Sequence, residues 1–338
     1  MWTEERLESL LTTPSEGLIE DIKKIQGDIY ILGAGGKMGP SLALLAKNAC
    51  TAAGIDKKIC AVSRFSNPSI AKELNQRGIE TISMDLMAEG AIDSLPYVDN
   101  IIYMAAKKFG TKGNESETWA TNVMLPSLVA RKFKGSKIVV FSSGNLYPMV
   151  PIHSGGSIDD SPTAPIGDYA MSTLGRERIF EYAANEYNTK VLIYRLNYAI
   201  DLRYGVLSDL ANKILNDEVI DLHSGNFNCI WQGYANEVAI RSLLFASSPA
   251  TRLNITGPET VSVRYAAGLL GKYLGKAPKF MGIESDTAYL NNASKCFEIF
   301  GYPSVSLNQL IQWQAEWILD GGHQLNIPTH FEEREGNY

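Results

Sequence analysis

Long apolar runs are missing from this 338-residue chain. No stretch approaches the roughly 20 apolar residues that a membrane-spanning helix needs. The N-terminus is acidic and amphipathic, so no signal peptide is expected. A surplus of positive charge is missing too. The 37 Asp and Glu outweigh 31 Lys and Arg, for a formal net charge of −6. That balance disfavours nucleic acid and anionic membrane as partners. Cysteine and histidine are scarce. Cys50, Cys60, Cys229 and Cys296 stand apart with no CxxC, and His153, His223, His323 and His330 have no ligand spacing, so no metal is expected. Scattered thiols fit a reducing compartment, and the expected location is cytoplasmic. Internal repeats and low-complexity segments are absent as well.

The chain does have one stretch that organises the rest. Ile29-Tyr30-Ile31-Leu32 runs straight into Gly33, Gly36 and Gly39, with Gly35, Lys37 and Met38 between them, and a helical pattern follows from Leu42 to Ala52. A strand, a glycine turn and a helix in that order cradle a dinucleotide pyrophosphate. The first glycine allows the tight turn and the second lets backbone N–H groups approach the phosphates. The third lets the helix pack closely, with its positive end toward the anion. Gly33, Gly35, Gly36, Lys37, Met38 and Gly39 are therefore the first cofactor-binding candidates.

A second strand at 59–62 ends in Ser63-Arg64. An acidic residue there would bind the ribose hydroxyls of NAD. A serine and an arginine suit a 2′-phosphate, so NADP is favoured over NAD. More strands are expected at 81–84, before Asp85-Leu86, and at 101–104, before Ala105-Ala106. Others follow at 138–141, before Ser142-Ser143, and at 191–194, before Arg195-Leu196-Asn197. Helices are expected over 70–77, 117–132 and 169–186. Strands apolar throughout, alternating with helices, predict a doubly wound parallel α/β sheet with both faces covered. Its ligand belongs at the C-terminal ends of the strands.

Residues 1–26 read as an extension of two short helices. Residues 27–200, with about 230–250, read as the dinucleotide-binding domain. A smaller mixed α/β cap that binds substrate is expected over 201–229 and 251–322. The charged tail, 323–338, is expected to be mobile. Asn197, at a strand end beside the crevice, is a candidate contact for cofactor or substrate. Tyr147 and Arg203 are substrate candidates, each with a plainer reading. Tyr147 could pack at the base of the long Pro- and Gly-rich loop 144–167, and Arg203 could pair with Asp201. Trp231 reads as core.

The motifs stand in an order that resembles the extended short-chain dehydrogenase/reductase family, the NAD(P)-dependent epimerases and dehydratases, over roughly residues 27–320. The matching segments are Gly33-x-x-Gly36-x-x-Gly39, Asp85-Leu86, Met104-Ala105-Ala106, Asn122-Val123, Ser142-Ser143-Gly144-Asn145-Leu146-Tyr147, and the helix from Tyr169 to Glu177. Stretches 253–259 and 294–301 resemble its cap. The resemblance implies a Rossmann-type fold, a homodimer through the helices at 117–132 and 169–186, and hydride transfer on a hydroxylated small molecule, a sugar derivative. It implies that Tyr169 is the acid/base or hydrogen-bond donor, that Ser143 orients the same oxygen, and that Asn122 supports the active-site helix. Asp85, Leu86, Ala105 and Ala106 would contact the cofactor.

At one position the chain departs from that family. The lysine four residues after the tyrosine, which binds the nicotinamide ribose and lowers the tyrosine's pKa, is Thr173 here. Four residues is one helical turn, so Thr173 falls on the Tyr169 face. A cation about 4 Å from a phenolate is worth roughly 4 kcal/mol at an effective dielectric near 20, or on the order of three pKa units. Three outcomes follow. A substitute cation restores the chemistry, from Lys107, Lys108 or Arg176. Lys108 stands first, because Ala105-Ala106-Lys107-Lys108 resembles the stretch of the family's epimerases where a lysine reaches the cofactor. Alternatively, the tyrosine only hydrogen-bonds, in a slower or different reaction. Or the chain binds NADP without catalysis, as a regulator or scaffold.

Overall fold

The computed structural model describes residues 1–336 of the 338. Its central sheet has seven strands: β1 (Ile29–Leu32), β2 (Ile59–Ser63), β3 (Glu80–Ser83), β4 (Asn100–Tyr103), β5 (Lys137–Ser143), β6 (Lys190–Leu196) and β7 (Thr251–Ile255). All pairings are parallel, in the spatial order β7-β6-β5-β4-β1-β2-β3. The order reverses between β1 and β4, where Leu32 pairs with Tyr103 on one side and Val62 on the other. At such a reversal the connections leave in opposite directions and a crevice opens beyond the strand ends.

The helices are α1 (Glu4–Thr12), α2 (Glu16–Lys24), α3 (Gly39–Ala52), α4 (Pro68–Gln76), α5 (Ala91–Ser94), α6 (Glu115–Trp119), α7 (Leu125–Lys132), α8 (Gly167–Tyr187), α9 (Val206–Leu215), α10 (Gln232–Arg241), α11 (Val263–Leu274), α12 (Ser294–Phe300) and α13 (Leu307–Leu319). Helices cover both faces of the sheet, and β1 shows why its residues are all apolar. Ile29 and Ile31 join one core cluster, with α1, α2, α3 and α10, while Tyr30 and Leu32 join the other, with α7 and α8. Alternate side chains leave opposite faces, and neither face meets water. No helix among the described residues is long and apolar enough to cross a membrane.

The N-terminal extension is helical as expected. Thr3 and Ser15 cap its helices by accepting from the Arg6 and Leu18 N–H groups. Leu7, Leu11, Leu18 and Ile22 are fully buried in the core cluster that α3 and α10 share. Arg241 of α10 donates to Asp21 at 2.8 Å and locks the extension down.

The tail departs from expectation. Residues 323–336 lie along α9 and the 223–227 segment. Thr329 and Phe331 are buried, and Phe331 meets the Phe227 ring. Glu332 pairs with Lys213, and Arg334 donates to the Thr287 carbonyl at 2.9 Å. A charge-rich run looks solvated in sequence, but one aromatic side chain and two charged anchors bind it.

One polar network ties the strand ends together. Glu177 of α8 and Arg195 of β6 have side chains only 0% and 2% exposed. Arg195 grips the carboxylate with two bonds, Nε to Oε1 at 2.9 Å and Nη2 to Oε2 at 2.7 Å. Its Nη1 donates to the Tyr147 hydroxyl at 2.6 Å and the Asp159 carbonyl at 3.0 Å. Ser142 of β5 donates to Glu177 at 2.6 Å, and Tyr147 donates to Asn254 of β7 at 2.8 Å. Arg195→Met should cost about 3–5 kcal/mol, because it strands a buried carboxylate. The measurement is a urea unfolding curve, and the paired Glu177→Leu/Arg195→Met change should cost less than the sum of its two parts.

Candidate active site

β1 delivers the chain into Gly33 at φ +90°, where a Cβ would lie 2.5 Å from the Ala105 backbone nitrogen. A Cβ at Gly35 would meet Ser63 Oγ at 2.6 Å, and one at Gly39 would meet the Ala34 carbonyl at 2.2 Å. Gly36 differs. It is exposed, and a Cβ there would meet nothing nearer than the Gly33 carbonyl oxygen at 3.7 Å, so that side of the turn is open to a ligand. α3 begins at Gly39 with Pro40 in its first turn and no side chain capping it. The positive end of that helix therefore lies at the turn, where an anion is favoured.

Across the turn, at the ends of β2 and β3, Ser63 is half-buried, Arg64 and Asp85 are exposed and Leu86 is buried. Asp85 accepts the Met87 N–H at 2.9 Å. Ala105 and Ala106 follow β4. These residues lie along one rim of the crevice, and the glycine turn forms its middle.

At the other end a cavity of about 220 Å3 is lined by Lys37, Met38, Lys108, Ser143, Asn145, Tyr169 and Asn197, among others. Ser143 closes β5. Its Oγ accepts the Asn145 N–H at 3.2 Å, which leaves its proton for donation. Tyr169 stands in the first turn of α8, and the Lys108 ammonium lies 5.7 Å from the centre of its ring. Burial lowers the Lys108 pKa to about 8, against the pull of Asp209. The Lys37 ammonium reaches across to the Ala199 carbonyl at 3.2 Å and sits 3.8 Å over the Tyr204 ring. Burial lowers its pKa to about 7; Asp201 opposes the shift, and Lys108 and Arg203 add to it.

Asn122 falls in a π-helical turn, Ala120–Met124, between α6 and α7. Its carboxamide is fully used. It accepts from the Lys107 N–H at 2.9 Å and Arg176 Nη2 at 2.7 Å, and it donates to the Lys107 carbonyl at 2.9 Å and Ser172 Oγ at 3.0 Å. It thus clamps the loop after β4, which carries Lys108, to the helix that carries Tyr169.

Several candidates from the sequence take other roles. Arg176 is no substitute cation at Tyr169. It is buried and committed to Asn122 and to the Phe141 carbonyl at 2.8 Å. Lys107 turns outward to Glu117. Tyr147 is no substrate residue: it is 1% exposed and engaged by Arg195 and Asn254. Arg203 faces a different cavity, where it grips Asp201 through bonds of 2.9 and 2.7 Å and also pairs with Glu4. Trp231 is core, edge-on to Trp313. Thr173 is fully buried and its hydroxyl has no partner among the described residues. Sequence reasoning missed the Glu177–Arg195 pair and the arrival of Tyr198, Tyr204 and Thr329 at the cavity. Arg195 did carry a signal, as a charge directly after the apolar run 191–193 and Tyr194. The other three carried none.

The family model for the NAD dependent epimerase/dehydratase family matches residues 29–229. The chain belongs to that enzyme family. A search among curated proteins finds no match by sequence. Among solved structures, a UDP-glucuronic acid 4-epimerase from Bacillus cereus, in complex with NAD and a fluorinated UDP-glucuronic acid, is similar with a TM-score of 0.71 at 17% identity; the match covers 87% of this chain and 99% of that one. DesIV, a dTDP-glucose 4,6-dehydratase from Streptomyces venezuelae with NAD bound, has a TM-score of 0.73 at 17% identity, over 87% of this chain and 97% of its own. A UDP-glucose 4-epimerase from Thermotoga maritima has a TM-score of 0.70 at 17% identity, over 87% and 99%.

The residues fit a nicotinamide dinucleotide. A Cβ would fill the glycine cradle, and Thr173 Oγ1 and Asn197 Nδ2 are buried polar atoms without partners among the described residues. At pH 8 a lysine with a pKa near 7 is mostly neutral, and a pyrophosphate beside it restores the charge. Dinucleotide binding at pH 8 should therefore take up protons, roughly one at most. Calorimetry in buffers of different ionisation enthalpy reads the uptake, and Lys37→Met should abolish most of it.

Proposed function

We propose that the chain is an NAD(P)-dependent epimerase or oxidoreductase acting on a hydroxylated small molecule, a sugar derivative. One observation carries the reading: Ser143, Tyr169 and Lys108 converge on one cavity beside the glycine turn. The ligands named for the similar structures, UDP-glucuronic acid and UDP-glucose, support the sugar. When bound, the nicotinamide accepts and returns hydride. The chain's own residues handle the proton and the geometry. Ser143 donates to the substrate oxygen and fixes it. Tyr169 exchanges a proton with the same oxygen. Lys108 supplies the charge that position 173 lacks. Its ammonium lies 5.7 Å from the centre of the Tyr169 ring, and a cation on that side favours the phenolate.

Tyr169→Phe should lower kcat by about 10²–10⁴-fold, the range for a positioned acid/base. Lys108→Met should lower it by at least about tenfold near pH 7.5, while Lys107→Met leaves it unchanged. In the wild type the rate should fall as pH rises through about 8, where the Lys108 charge is lost, and Lys108→Met should lack that limb. Substrate turnover across pH 6–10, read by product analysis, measures all three.

Ser63 and Arg64 at the end of β2 support NADP over NAD. Arg64→Ala should erase any advantage of NADPH over NADH in a binding titration. The replaced lysine favours a second reading, a regulator that binds the dinucleotide without turnover. Saturable dinucleotide binding with no turnover of any sugar, sugar acid or polyol would select it. Trp119, Met124, Met171 and Tyr182 expose apolar surface on α6, α8 and the turn between α6 and α7, which supports a homodimer through that face. Its test is the solution mass.

A further inference from the structure

Two side chains of the tail reach the site. Thr329 enters the wall of the cavity that holds Lys108 and Tyr169. It is 2% exposed, and its N–H and hydroxyl both donate to Oδ2 of Asp209, at 2.9 and 2.6 Å. Asp209 lies in the first turn of α9. Its own N–H donates to the Gly205 carbonyl at 3.0 Å, and Gly205 and Val206 line the same cavity. Residues three and four apart share a helix face, so Asp209 lies on the face of α9 that meets that wall. His330, next along the tail, meets the Phe109 ring with centroids 6.1 Å apart. The Lys108 ammonium lies 5.3 Å from the centre of that Phe109 ring and 5.7 Å from the centre of the Tyr169 ring. The tail thus contacts the loop that carries Lys108 and the carboxylate of Asp209 together.

Lys37 and Lys108 both line this cavity, and none of the residues lining it, among those described, is acidic. A compensating anion therefore has to stand behind the wall. Around the Lys108 ammonium are the Tyr169 phenol from α8, Lys37 from the glycine turn, Asp209 from α9 and, across the Phe109 ring, His330 from the tail. Burial lowers the Lys108 pKa, and Asp209 opposes that shift. Lys37 and Tyr204 feel the same carboxylate. Asp209 itself faces Glu332 of the tail and Lys213 of its own helix. Burial raises the Asp209 pKa, and the hydroxyl and N–H of Thr329 oppose that rise. An ammonium with little water around it holds its proton better beside an anion. An anion in such a place stays charged only where donors satisfy it, and Thr329 supplies two.

Resting on the function proposed above, we infer that Asp209 is a positioning residue for the reaction: pinned by Thr329 of the tail, its carboxylate keeps the Lys108 ammonium charged beside Tyr169. Asp209 acts through Lys108 and not on the substrate. The tail belongs to the site because it supplies the two donors that hold this carboxylate. Without the negative charge, Lys108 releases its proton at lower pH, and the ammonium is lost sooner as pH rises.

The test compares the wild type with Asp209→Asn, which keeps the shape of the side chain and an acceptor for Thr329. Glu332→Gln, which removes another carboxylate near Asp209, is the control. The Lys108 pKa is read without turnover, by NMR of full-length protein labelled at the lysine ε-carbon, with the signal assigned by its absence from Lys108→Met. The pH profile of kcat is then measured on the same chains. In Asp209→Asn the Lys108 pKa should fall by at least about half a pH unit, and the high-pH limb of kcat should move down with it. Glu332→Gln should leave both in place. Coupling between two charges is mutual, so Lys108→Met should raise the pKa of the Asp209 carboxyl, read by its own carbon signal. This measurement serves if Asp209→Asn does not fold. Thr329→Val should raise the Asp209 pKa as well, and Thr329→Ser should restore it. A Lys108 pKa that is unmoved in Asp209→Asn, or that moves as far in Glu332→Gln, overturns the inference. So does an Asp209 pKa unmoved in Lys108→Met. Equal Asp209 values in Thr329→Val and Thr329→Ser overturn the part given to the tail. A Lys108 pKa that falls in Asp209→Asn while no chain turns over a substrate, or while the pH limb stays where it was, supports the charge pair and overturns the function on which its role rests.

Discussion

The buried pair of Glu177 and Arg195 is the interaction on which the site depends. Two charges taken out of water are costly, and their attraction repays the cost only when the remaining donors and acceptors are satisfied as well. Here they are. Ser142, Tyr147 and the Asp159 carbonyl complete the set. Each partner comes from a different part of the chain, so the pair stabilises little unless all are in place. That demand fixes position. Ser142 precedes Ser143, Arg195 lies two residues before Asn197, and Glu177 lies two turns along α8 from Tyr169. Three cavity residues are thus held by one network that reaches the cavity only through Ser142.

A second clamp, Asn122, sets the remaining wall. Its four hydrogen bonds hold both backbone groups of Lys107 and, through Ser172 and Arg176, the helix α8. The π-helical turn that carries it directs the carboxamide between the two elements, and such turns recur at functional sites. The consequence is electrostatic. Position 173 on α8 carries no charge, and the Lys108 ammonium, in the loop after β4, lies 5.7 Å from the centre of the Tyr169 ring. Thr173 is fully buried, so a lysine there would need a path out through packed side chains. The helix keeps a small residue, and the loop held by Asn122 carries a lysine to the same cavity.

The parts of this architecture that were legible in sequence are those that depend on local pattern. Apolar strands followed by small or polar residues marked the sheet and its C-terminal rim, because burial on both faces favours apolar residues through the middle of each central strand. The glycine spacing marked the turn, because Gly33 and Gly39 lie against backbone atoms and tolerate no Cβ. Tyr169 and Ser143 were picked out from their segments, and the two line one cavity. What stayed hidden was pairing across long separations. Tyr147 meets Arg195 across 48 positions, and nothing near either residue announces the other. Arg203 turned to its neighbour Asp201, two positions away, and a local pattern suggested both that outcome and its rival equally. The tail misled for a different reason. Phe331 is a lone aromatic in a charged run, and composition averages it away, although one buried ring and a few directed bonds are enough to dock a short segment.

The docking of that segment changes the electrostatics of everything beneath it. Lys37 and Lys108 are both held well below the ordinary lysine value, chiefly by burial. An ammonium so poised interacts more strongly with a nearby anion than one in water, because less solvent screens it. Thr329 of the tail forms part of the wall beside Lys108 and Tyr169, and each buried group added there leaves less solvent to screen the two lysines. The tail and the lysines then act on the same site, one by removing solvent from its wall and the others by bringing charge to it.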